Sequence, residues 1–169
     1  MSRIINIAIF AITLPLVVLL FFKDGRFRPD RARKAFRFFT VQSNAFCAVA
    51  ALLMCLWPGQ RWVWIVKYIG TAAVTVTLLT VFLFLGPSSG GYGALLRGSD
   101  FFMYLVTPLL AIVSFGFFER RGMGFAEALW GMLPVVCYGL WYLYKTIYAP
   151  ESRRWEDFYG YNKGGKWPV

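Results

Sequence analysis

Thr40, Ser43 and Asn44 form the densest set of hydrogen-bonding side chains inside an otherwise apolar part of the sequence. On a helix these three and Cys47 share one face, being three or four residues apart, while Gln42 points elsewhere. A second group, Tyr104 and Thr107 beside Pro108, lies between Asp100 and Ser114. A third is the stripe Gly70, Ala73, Thr77 and Thr80, flanked by Thr71 and Thr75. Two chemistries fit these residues. A threonine hydroxyl at the rim of a pocket can act as a nucleophile or touch a ligand, with Ser43, Asn44, Thr80 and Thr107 as further ligand contacts. Alternatively, the same groups hydrogen-bond helices to one another, at about 0.6 kcal/mol per contact. The chain contains no histidine, so imidazole is unavailable as base, proton shuttle or metal ligand. Cys47, Cys55 and Cys137 have no paired spacing, which leaves no expected metal, haem or disulfide site and no expected cofactor.

The elements that carry these residues follow from composition. Of 169 residues, 59% are hydrophobic, 20% aromatic and only 15% charged. A soluble domain runs near 45–50% apolar and about 25% charged. A chain this short lacks the volume to hide such an excess in one core. The expected class is all-α, a polytopic bundle of membrane helices. Crossing about 30 Å of hydrocarbon takes about 20 helical residues, and segments near 4–22, 38–57, 64–85, 101–118 and 125–148 qualify. Residues 1–149 then form the bundle and 150–169 a polar and aromatic tail suited to the headgroup layer. The first segment is too long, and lacks the cleavage site, for a signal peptide. Pro108 is expected to kink its span and free the Tyr104 carbonyl one turn back.

The formal net charge is +10, and seven of the eighteen Lys and Arg residues fall between 23 and 37. Basic clusters between apolar segments fit topology and anionic headgroups, and no nucleic-acid partner is expected. With five crossings, Arg3, Arg61, Lys67, Arg120 and Arg121 fall on one side and the other thirteen basic residues on the opposite side. That bias places the N-terminus outside and the C-terminus in the cytoplasm of a multi-pass cell-membrane protein. Glu119, Arg120 and Arg121 are expected to form a solvated interfacial cluster, and Glu127 to be structural.

Several motifs resemble a known group. Phe38-Phe39-Thr40-Val41-Gln42-Ser43-Asn44 resembles the opening of a span in small bacterial membrane proteins. Those proteins look like distant relatives of the androgen-induced-protein family of threonine-dependent intramembrane lipid hydrolases. Lys67-Tyr68-Ile69-Gly70-Thr71 leading to Leu85-Gly86-Pro87, Thr107-Pro108-Leu109-Leu110-Ala111 ending at Glu119, and the tail from Asp157 to Trp167 are similar to that bacterial group. The resemblance runs in order over nearly the whole chain. It implies Thr40 as the reactive threonine, a histidine where this chain has Tyr104, and a sixth span beyond Val169. A phenol titrates near pH ~10 and is a poor base at neutrality.

Thr40 and Tyr104 each lie about 3–6 Å below the start of a helix on the same, cytoplasmic, side. The expected function is therefore that of a non-catalytic or activity-altered relative, holding a lipid-like ligand in a shallow polar pocket near the cytoplasmic surface. Two alternatives stand beside it. One is an active threonine-dependent hydrolase; the other is a structural or accessory subunit binding a partner or anionic lipid.

Overall fold

The computed structural model describes residues 1–88, 91–93 and 95–160. The Ser89-Gly90 loop positions and the Tyr161–Trp167 part of the tail motif lie outside the described residues. Among the described residues the fold is all-α apart from one short hairpin. Among them, too, four helices are long and apolar enough to cross a membrane: α1, Ser2–Leu19; α3, Phe39–Leu56; α4, Arg61–Leu85; and α5, Ser99–Phe118. Many of their large apolar side chains face outward, among them Ile4, Leu83, Phe84 and Phe117, each more than 60% exposed. Water would penalise such a surface, and lipid does not.

The chain divides into two compact units, 1–132 and 133–169. In the first, bonds from Arg3 to Cys55, between Ser43 and Thr77, and from Trp64 to Glu119 join opposite ends of neighbouring long helices. These helices therefore run antiparallel, and α3 is the most enclosed. Gly70 of α4 lets the two backbones close up: a Cβ there would sit 3.3 Å from both the Ala50 Cβ and the Cys47 Cα. The small-residue stripe is therefore a helix-packing face, as its spacing suggested. Between the two ends of the bundle lies an apolar layer of Ile9, Cys47, Ala51, Val74 and Ala111, all fully buried. Polar side chains concentrate above and below it.

Between α1 and α3 the chain forms a two-stranded hairpin, β1 (Phe22–Lys23) with β2 (Arg26–Phe27), and then a short helix α2, Pro29–Ala35. Asp24 and Gly25 both have positive φ, 52° and 73°, as a tight two-residue hairpin turn requires. Pro29 starts α2, Asp30 sits in its first turn, and Arg33 and Lys34 in its last, each favourable to the helix dipole.

α5 departs from regular helix near Pro108. Residues Phe102–Val106 form a π-helical turn, in which the Thr107 N–H reaches back to the Phe102 carbonyl. The next bond of that register would run from residue 108 to Met103, and proline has no N–H to give. The freed carbonyl is thus that of Met103, not Tyr104 as expected from regular α-helical counting. Asn44 Nδ2 donates to it at 3.0 Å.

The fifth apolar segment is helical but changes type along its length. It starts with α6, Phe125–Leu129, and a 3-10 turn, Trp130–Met132, which closes the first unit. The second unit holds α7, Leu133–Leu143, a π turn, Tyr144–Tyr148, and a 3-10 turn, Glu151–Arg153. Its tail folds back on its own helix. The Tyr142 hydroxyl donates to Asp157 at 2.8 Å and accepts the Tyr159 N–H at 3.1 Å. Phe158 and Tyr159 pack edge-on against the same ring.

Candidate functional site

Three polar regions compete as the functional site. The first contains the residues singled out by spacing, of which Ser43 and Asn44 are tied to the Thr40 carbonyl at the α3 N-terminal end. Ser43 Oγ is 2.9 Å from Thr77 Oγ1 of α4 and donates to the Thr40 carbonyl at 3.1 Å. Asn44 Nδ2 donates to the Thr40 carbonyl at 2.8 Å as well as to Met103. Thr107 Oγ1 lies 2.8 Å from Thr13 Oγ1 of α1. Ser43, Asn44 and Thr107 are buried; Thr40, Thr80 and Tyr104 are only half-buried. No hydrogen bond joins Thr40 to Tyr104 among the described residues. The buried members join α1, α3, α4 and α5 to one another, which is the packing use of such groups.

The second region was missed by sequence reasoning. Glu119 is only 4% exposed, so it is not part of a solvated cluster with Arg120 and Arg121. Its Oε1 accepts from Ser2 Oγ at 2.8 Å, Asn6 Nδ2 at 2.5 Å and Ser114 Oγ at 2.7 Å. Its backbone carbonyl accepts the Trp64 indole N–H at 2.6 Å. Three donors on one carboxylate oxygen compensate much of the cost of burying it. Lys67, one turn along α4 from Trp64, is fully buried. Lys67 Nζ, Glu119 Oε2 and Asn6 Oδ1 are all buried without a hydrogen-bond partner, as is Asn44 Oδ1 at the other end of the bundle. The signal available in sequence was a lysine seven residues into α4, inside the apolar stretch and not before it. The two neighbouring arginines do lie at the surface. Arg120 Nε donates to the Gly116 carbonyl and Arg121 Nη2 to the Pro58 carbonyl. Glu127 is structural: it pairs with Arg61 and caps α6 through the Gly124 N–H.

The third region is the basic loop. Lys23 of the hairpin and Arg28, Asp30, Arg31 and Lys34 of the following turn and helix line an open cavity of about 330 Å³. All five are exposed. Arg28 makes an ion pair with Asp30 at 3.3 Å, and the hydrogen bond from its guanidinium holds the Asp30 carboxyl below the usual carboxylate range. Arg31 Nη1 donates to the Phe22 carbonyl at 2.9 Å, fastening α2 to the hairpin. Phe21 and Phe22 pack against Phe27, and the Phe22 and Phe27 rings are themselves exposed. Four cations against one carboxylate leave the cavity strongly positive, and the hairpin and helix fix their spacing.

Among the described residues no cluster of His, Cys, Asp or Glu is arranged to hold a metal ion. No family model, curated protein or solved structure matches the chain.

Proposed function

We propose that the chain is a multi-pass protein of a bacterial cytoplasmic membrane, with its N-terminus outside and its C-terminus in the cytoplasm, that binds anionic lipid headgroups at the 23–37 loop. The carrying observation is the cavity lined by Lys23, Arg28, Arg31 and Lys34, where one side of the bundle meets the next span. A phosphate there meets several donors at once, and guanidinium groups suit its geometry. Each basic residue near an anionic surface contributes about 1 kcal/mol. The orientation rests on the thirteen-to-five bias of basic residues, with residues 125–148 as the fifth crossing.

Catalysis is not part of the proposal. Thr40 has no histidine beside it anywhere in the chain, and its carbonyl is committed to Ser43 and Asn44. On this reading the residues around Thr40 serve to hold the helices together. Native mass spectrometry of the full chain, released from micelles doped with phosphatidic acid and phosphatidylcholine, tests the reading. Wild type retains phosphatidic acid preferentially, and the Lys23→Gln, Arg31→Gln, Lys34→Gln triple variant loses that preference. Equal retention by both proteins contradicts it.

A further inference from the structure

Apart from lipid binding, the buried charges at the N-terminal end of α1 have their own chemistry to satisfy. A polar group enclosed without a partner costs about 1–3 kcal/mol, and more when it is charged. Three such groups lie at this end of the bundle: Lys67 Nζ, Asn6 Oδ1 and Glu119 Oε2. Their proximity follows from printed bonds on either side of them. Asn6 Nδ2 donates to Glu119 Oε1, so Asn6 Oδ1 and Glu119 Oε2 belong to one small cluster. Trp64, on the same face of α4 as Lys67, bonds the Glu119 carbonyl.

The other cations at this end already have partners. Arg61 is held by Glu127 and by the Gly122 carbonyl. Arg3 donates to the Cys55 carbonyl, and Arg120 and Arg121 bond backbone carbonyls. None of them serves Glu119 Oε2. Lys67 lies farther than 4.0 Å from that carboxylate, since no ion pair forms between them. A direct contact therefore does not complete the set.

The unsatisfied groups are complementary. One is a donor and two are acceptors, which is the complement of a single water: it accepts from the ammonium and donates one hydrogen to each oxygen. Buried waters typically make about three hydrogen bonds to groups otherwise unsatisfied. We infer that Asn6, Lys67 and Glu119 form a buried water-binding site that links α1, α4 and α5. The apolar layer of Ile9, Cys47, Ala51, Val74 and Ala111 seals it from the opposite side. The result is a hydrated charge centre within the bundle that stops halfway across.

Radiolytic hydroxyl-radical footprinting of the full chain in nanodiscs, in oxygen-18 water, tests this directly. Trp64 is 1% exposed and Cys47 fully buried. A radical formed at the proposed water oxidises Trp64 and not Cys47. The expected result is oxygen-18 incorporation at Trp64 at a rate within a few-fold of exposed Trp62, with Cys47 spared. Lys67→Met and Glu119→Gln should each slow Trp64 labelling several-fold and leave Trp62 unchanged. Wild-type labelling of Trp64 no greater than that of Cys47 overturns the inference, whether or not the variants fold. So does Trp64 labelling that persists unchanged in either folded variant.

Discussion

At the scale of single residues, Asn44 does more than its spacing suggested. Its amide supplies the donor that Pro108 withholds from the Met103 carbonyl. Asn44→Leu should destabilise the bundle by about 1–3 kcal/mol, because the Met103 carbonyl is left buried and unpaired. Pro108→Ala restores an N–H at the position next in register, so the cost of Asn44→Leu should shrink in that background. Unfolding in detergent measured over the four-protein cycle reads this coupling; strictly additive effects would refute it. The polar residues near Thr40 were legible because hydroxyls and amides are conspicuous in an apolar run. Lys67 and Glu119 were not, because charges near helix ends usually reach water by extending along their apolar stems. Nothing local to Glu119 shows that Asn6, 113 residues earlier, closes over it.

At the scale of elements, hydrophobic length placed all four long helices, but their internal irregularities needed the structure. The π turn before Pro108 shifts the freed carbonyl by one residue, a change that depends on which hydrogen-bond register wins locally. The hairpin at 22–27 carried a readable sign, Asp24-Gly25, that was masked by treating the whole basic stretch as a topology signal. The Gly70 contact was legible from its small-residue stripe. Gly70→Val places methyl groups where a Cβ alone already meets Ala50 and Cys47 at 3.3 Å. The expected cost is about 1–3 kcal/mol of overpacking, read as a lower unfolding midpoint, whereas Gly59→Ala, with open space around it, should be near neutral.

At the scale of the whole molecule, composition identified the class, and the asymmetry of basic residues supplied an orientation. Cysteine labelling on intact cells checks that orientation. With the native cysteines replaced, an impermeant maleimide should label Gly59→Cys without permeabilisation and Glu151→Cys only after it; the reverse pattern would invert the topology. The basic loop is proposed to hold anionic headgroups. Electron spin resonance with spin-labelled lipids, on the protein reconstituted in phosphatidylcholine, measures that binding most directly. Wild type should immobilise spin-labelled phosphatidic acid in preference to phosphatidylcholine, less so at high salt as screening grows. The Lys23→Gln, Arg31→Gln, Lys34→Gln variant should show no such preference. An undiminished preference in that variant would contradict the account.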